Sequence, residues 1–358
     1  MTLKRKPIYR STFIMLLMVF PIAILAKIYQ YNFTGGNNFG IMSYMLDAIY
    51  NGTTLEFKSY TFPVKIYSIF SFLGFKTNLA WSIFYTAIFT IIIFLFLLKY
   101  KKYSLKEYIF IYASMFILAW TVMNMNKDLI QLMFLLIIYG ICSTKKLSSN
   151  AKIFLSATIF LIESLVFREY YILVAGLLVI VYFIISKELK KQEKIRYVRD
   201  IVLIFSIFFI GIFLAKFVSL TSYEQLVNRR DHLDQIEEVN TIIENKIPGD
   251  SYGIFMLNYL INFIRVCFPI ELIGFGIKHA IFFVYQIMIT VELIKSLKKL
   301  NKNNLVYVAV ILAYTIMLVA SESDFGTLVR HQSVLLMFYI GMFQNLPRKE
   351  LDYERKKN

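Results

Sequence analysis

The feature that most limits what this chain can fold into is a recurring run of apolar residues, interrupted only by short charged segments. Ten such runs can be drawn, at residues 11–31, 79–98, 107–124, 129–143, 153–167, 170–186, 201–220, 277–294, 305–320 and 328–345. About 20 apolar residues wound as a helix match the ~30 Å hydrocarbon core of a bilayer. Only helices and closed barrels satisfy their own backbone polar groups there. A barrel would alternate apolar and polar residues over about 10 positions, and the unbroken run 88–98 excludes it. The expected fold is all-α: a polytopic integral membrane protein with these ten runs as transmembrane helices, in a single domain over residues 1–358. Composition agrees, since 58% of residues are hydrophobic, against roughly 45–50% in soluble domains.

The net charge of +16 invites a nucleic-acid partner, but the basic residues flank the apolar runs and form no single stripe. They report topology. With the N-terminus in the cytoplasm, segments 1–10, 99–107, 143–152, 187–200, 292–304 and 346–358 lie inside and hold 26 of the 39 Lys and Arg. By the positive-inside rule both termini are expected in the cytoplasm, with outer loops at about residues 32–78, 219–276 and 321–332. Lys4-Arg5-Lys6 followed by residues 12–31 reads as a retained signal anchor, because Lys27 sits where a cleavage site would fall. Cys142 and Cys267, in or beside apolar runs, suggest no disulfide framework.

Two apolar stretches fit this pattern poorly. Residues 252–275 contain Arg265, Pro269 and Glu271, and a full crossing there would invert every later basic cluster. A re-entrant or interfacial hairpin is expected instead. Residues 62–75, broken by Pro63 and Lys65, read as an interfacial segment. Between residues 219 and 253, Thr221 and Glu224 form a capping-box pattern, and Leu226, Leu233, Ile236, Val239 and Ile243 recur at helical spacing up to Pro248-Gly249. This predicts an outer amphipathic helix of about 25 residues.

With that topology the polar clusters all face outward. They are Lys127-Asp128, Arg168-Glu169, Arg229-Arg230-Asp231-His232, Arg265, and the stretch 321–332 with Glu322, Asp324, Arg330 and His331. A charge at mid-bilayer costs roughly 2.5–3.5 kcal/mol on insertion scales, so such groups usually face a wet cavity with a task. Plainer readings stand beside each. Lys127/Asp128 and Arg168/Glu169 would pair and cap helix ends, Arg229 and Arg230 would bind anionic headgroups, and residues 322–331 would be a solvated loop. His331 follows Asp324 by seven positions, so the two share a face only if helix extends back past Gly326.

Several arginines with few acids between them suit phosphate oxygens, which the planar guanidinium fork binds in pairs. A lipid diphosphate is the anion to expect at a membrane surface, and the same positive field would stabilise its departure. A general base would then activate an incoming hydroxyl, with His331, Asp324, His232 and Asp231 as candidates. Three scattered histidines make no zinc pattern. No metal and no cofactor are expected, magnesium on Asp324 with Glu322 being the alternative. Walker loop, dinucleotide fingerprint and nucleophile elbow are all missing.

Asn126-Lys127-Asp128 and Phe167-Arg168-Glu169, each opening a span, and residues 322–332 leading into the last one resemble the pattern of bacterial polysaccharide polymerases, the Wzy-type and EpsG-like proteins of capsule, exopolysaccharide and O-antigen assembly. The loop 35–52 is similar to their early tyrosine- and glycine-containing loop. The resemblance implies a metal-independent glycosyltransferase at the outer face of the bacterial cytoplasmic membrane. Such enzymes move a growing glycan from undecaprenyl diphosphate onto the next lipid-linked repeat unit. Arg168, Arg265 and Arg330 would bind diphosphate or glycan, with Lys127, Arg229 and Arg230 assisting, and His331 would serve the acceptor. Partners would be the lipid-linked oligosaccharide, membrane lipids, a flippase and a chain-length regulator, and no nucleic acid. The outer loop of about 35 residues (219–253) is shorter than in the larger members. Two rival readings are a polyprenyl-phosphate-sugar glycosyltransferase or glycan ligase, which would feature Asp47 and Glu56, and a lipid-oligosaccharide flippase.

Overall fold

The computed structural model describes residues 9–33, 40–53, 58–100, 102–191, 197–218, 223–224, 227, 241–249 and 251–346. Arg229, Arg230, Asp231, His232 and Glu56 lie outside them. The described residues are helical with no strand, apart from one isolated bridge between Ile242 and Asp324. In order the α-helices are α1 (Arg10–Leu17), α2 (Val19–Phe33), α3 (Gly40–Asn51), α4 (Lys58–Ser68), α5 (Asn78–Leu97), α6 (Leu105–Ile117), α7 (Lys127–Ser143), α8 (Ser149–Val166), α9 (Tyr171–Lys191), α10 (Tyr197–Val218), α11 (Tyr252–Cys267), α12 (Ile277–Lys298), α13 (Leu305–Ser321), α14 (Phe325–Ser333) and α15 (Leu336–Gln344).

Among the described residues, six stretches are long and apolar enough to cross a membrane: Arg10–Asn32, Asn78–Leu97, Leu105–Val122, Ser149–Val166, Arg199–Phe217 and His279–Lys298. They match six of the ten expected spans. The other four fall short. Helix α7 has 17 residues and follows the unwound residues 123–126, and the expected span 328–345 is broken at Val334-Leu335 into α14 and α15, nine residues each. The apolar part of α9, Tyr171–Lys187, and the 17-residue α13 are also shorter than a full crossing. Every residue of α13 except Leu312 is buried, so its apolar surface meets protein on all sides, as in a core helix. By contrast α10 turns Ile201, Val202, Ile210, Phe213, Leu214 and Phe217 outward, an apolar surface suited to lipid and too extensive for water.

Two compact units make up the chain. One comprises Met1–Ile137, Leu165–Arg168 and Ser333–Met337; the other comprises Ile138–Ser164, Glu169–Gln332 and Phe338–Asn358. In the first, α2 packs on α5 and α6, with Phe20 edge-on to Phe94 and Tyr29 edge-on to Trp120. Helix α6 opens on the capping box of Ser104 and Glu107 and ends in a π-turn, Leu118–Val122. In the second, α13 packs on α9 and α11, and the Tyr259 hydroxyl donates to the Ile316 carbonyl at 2.7 Å.

One local expectation needs correction. The expected amphipathic helix does not run to Pro248-Gly249: residues 241–249 form a non-helical strap. Ile243, placed on the helical stripe by spacing, is fully buried, and its amide donates to the Ser323 carbonyl at 2.7 Å. Backbone pairing with residues 323–325 takes the place of helical hydrogen bonds there. The stretch 252–275 contains α11 and a 3₁₀ turn at Ile270–Phe275, joined at Phe268-Pro269. Proline lacks the N–H that would continue the helix.

Candidate functional site

The first unit carries a polar cluster at the unwound stretch between α6 and α7. Asn126 sets the start of α7: its Oδ1 accepts from the amides of Asp128 and Leu129, both at 3.0 Å, an N-cap arrangement. Its Nδ2 donates to the Thr121 carbonyl at 3.1 Å, and its own carbonyl accepts from Tyr67. Asp128 and Arg168 then form an ion pair with Nη2 to Oδ1 at 3.4 Å, the side chains being 4% and 9% exposed. The Arg168 guanidinium also lies over the Phe167 ring at 5.0 Å, and Lys127 Nζ over the Tyr60 ring at 5.4 Å. Cross-pairing of the two motifs, the plainer of the readings given above, is therefore part of the structure.

The second unit brings Arg265 and the stretch 321–332 together through the strap at 241–249. Arg265 forks onto Glu271, with Nε to Oε1 at 2.7 Å and Nη2 to Oε2 at 2.6 Å. Its Nη1 donates to the Glu244 carbonyl and Asn262 Oδ1, both at 2.7 Å. The hydrogen bonds from Arg265 hold the Glu271 carboxyl below the ordinary carboxylate range. Asn258 secures the next turn of the strap by accepting from the amides of Lys246 and Ile247 and donating to the Ile247 carbonyl.

At the other end of the strap, the Phe325 amide donates to the Thr241 carbonyl at 3.0 Å. Asp324 is the N-cap of α14. Its Oδ2 accepts from the amide and hydroxyl of Thr327 at 2.7 and 2.8 Å, and its Oδ1 accepts from the Thr241 hydroxyl. A Cβ at Gly326 would stand 3.3 Å from Asp324 Oδ2, so the glycine leaves room for the folded-back carboxylate. Helix starts at Phe325, so Asp324 closes the end of α14 instead of sharing a helical face with His331.

One group near His331 is Glu322. His331 Nε2 lies 3.9 Å from Glu322 Oε1, with the two side chains 1% and 3% exposed. Arg330 sits next to His331 in the last turn of α14. Gln332 then joins α13 and α15, donating to Thr315 Oγ1 at 3.3 Å and accepting from the Tyr339 hydroxyl. His279 is elsewhere, at the start of α12, where Nδ1 donates to the Phe275 carbonyl at 2.8 Å. Lys127 and Arg168 belong to the first unit; Arg265, Asp324, Arg330 and His331 belong to the second. Among the described residues, no group of three or more His, Cys, Asp or Glu could hold a metal ion.

Three buried charges gain a setting here that spacing alone does not supply. Glu322, weighed above as an alternative magnesium ligand with Asp324, lies near His331. Lys27 and Glu163 are buried inside membrane-length helices, and each could have been found as a single charge within an apolar run. No family model, curated protein or solved structure matches the chain.

Proposed function

We propose that this chain is a membrane glycosyltransferase that polymerises lipid-linked repeat units. It would transfer the growing glycan from undecaprenyl diphosphate to the next lipid-linked unit, at the outer face of a bacterial cytoplasmic membrane. One observation carries the reading: a buried histidine–carboxylate pair, His331 and Glu322, with Arg330 next to His331 in sequence, in a chain with six membrane-length helices among the described residues. A histidine with a carboxylate nearby is the residue pairing of a general base. The adjacent arginine supplies a permanent charge and a paired donor set for phosphate oxygens.

In this reading His331 takes the proton of the acceptor hydroxyl as its oxygen bonds the anomeric carbon. The bond from that carbon to the diphosphate breaks, and its electron pair leaves on the diphosphate, which Arg330 stabilises. Asp324 is a positioning residue, because it caps the helix that carries both. Arg265 holds the strap to which that cap is tied. The excess of Lys and Arg in the inner segments supports cytoplasmic termini and an outward-facing site. Flippase and chain-length regulator proteins are the partners this role would require.

The test is removal of the protein from the cell that makes it, followed by analysis of the surface glycan. Single repeat units in place of long chains are expected, and intact long chains would end the proposal. Arg330→Lys keeps the charge and loses the fork, so most polymer should disappear; normal chain length would assign Arg330 to a solvated charge.

A further inference from the structure

Lys27 belongs to a membrane-length helix, yet it is only 7% exposed and has three oxygen acceptors. Its Nζ lies 2.7 Å from Asn124 Oδ1, 3.0 Å from Gln30 Oε1 and 3.2 Å from the Met123 carbonyl. An ammonium has three N–H donors, and three donations use the protonated form in full. None of these acceptors is a carboxylate, so the charge is met by carbonyl and amide dipoles, as small cations are met at unwound helix segments. Two hydroxyls complete the shell: Ser82 donates to Asn124 Oδ1, and Thr86 donates to the Met123 carbonyl at 3.1 Å. Four of the five oxygens come from parts of the chain far from Lys27 in sequence, and two belong to the unwound turn itself.

We infer that residues around the turn 123–126 form a monovalent-cation site, and that Lys27 fills it with a tethered ammonium. The unwound turn leaves the Met123 carbonyl without a helical partner inside an apolar body, where an unsatisfied backbone group is expensive. Lys27 and Thr86 together satisfy it, and Asn126 caps α7 two residues beyond Asn124. The tethered cation thereby fixes the helix start that carries Lys127 and Asp128. The inference concerns an intramolecular site and stands independently of the proposed reaction.

It predicts chemical rescue. Lys27→Ala should empty the site, lower the thermal unfolding temperature of the full chain in detergent micelles, and make it depend on added methylammonium. Tetramethylammonium, equally charged but without N–H donors, should leave the variant unchanged, and neither salt should move the wild type. Lys27→Met, which refills the space with an apolar chain, should be destabilised and insensitive to methylammonium. If Lys27→Ala fails to accumulate folded, expression and purification with methylammonium should recover it. Wild-type stability in Lys27→Ala, no response to methylammonium, or equal rescue by both salts would overturn the inference.

Discussion

The buried pair Asp128–Arg168 allows the structural and functional parts of one arginine to be separated. At 3.4 Å, two unit charges attract by roughly 5 kcal/mol at an effective dielectric near 20. The desolvation of both groups offsets much of that. Removing one partner leaves the other charge buried, which typically costs about 3–5 kcal/mol, whereas replacing both with apolar side chains of similar volume is often neutral or stabilising. Asp128→Leu is therefore expected to destabilise the protein by about 3 kcal/mol. Arg168→Met should have a similar effect, and Asp128→Leu with Arg168→Met should lie within about 1–2 kcal/mol of wild type. The assay is denaturant unfolding in mixed micelles for all variants, read as a double-mutant cycle. Strictly additive losses would refute the pairing. The same proteins report on substrate: if Arg168 also meets diphosphate, the double variant regains stability while polymer synthesis stays low.

Three further outcomes follow from the geometry. A Cβ at Gly341 would stand 2.6 and 2.7 Å from ring carbons of Tyr307, a buried residue packed against Tyr139 at 6.0 Å. Overpacking of about 1–3 kcal/mol should outweigh the ~1 kcal/mol helix preference of alanine over glycine, so Gly341→Ala lowers stability, measured by the same unfolding assay. The Glu271 carboxyl is depressed by Arg265, so its contribution is complete above the ordinary carboxylate range and is lost as pH falls through the depressed value. Acid titration of thermal stability should show that loss, and Arg265→Gln should remove it. His331→Gln should slow polymer formation in isolated membranes by about 10²–10⁴-fold, the usual worth of a general base. Glu322→Gln should lose part of that rate while the protein still folds; unchanged rates in both would assign the pair to packing.

Local chemistry made much of the fold legible in advance. Long apolar runs specify helices wherever hydration cannot satisfy a backbone, and six of the ten expected spans have the length to cross. The capping box at Ser104 and Glu107 rests on neighbours three residues apart, within reach of pattern reading. Other features depend on partners remote in the chain. Lys27 meets Met123 at a sequence separation of 96, and Thr241 meets Asp324 at a separation of 83. No periodicity encodes such pairings. They decide that residues 241–249 are a strap and not helix, and they tie that strap to the Asp324 cap. Apolar burial acts through amount and spacing, which a linear sequence displays. A polar contact depends on direction and on which donor arrives opposite which acceptor, and that exists only once the helices have packed.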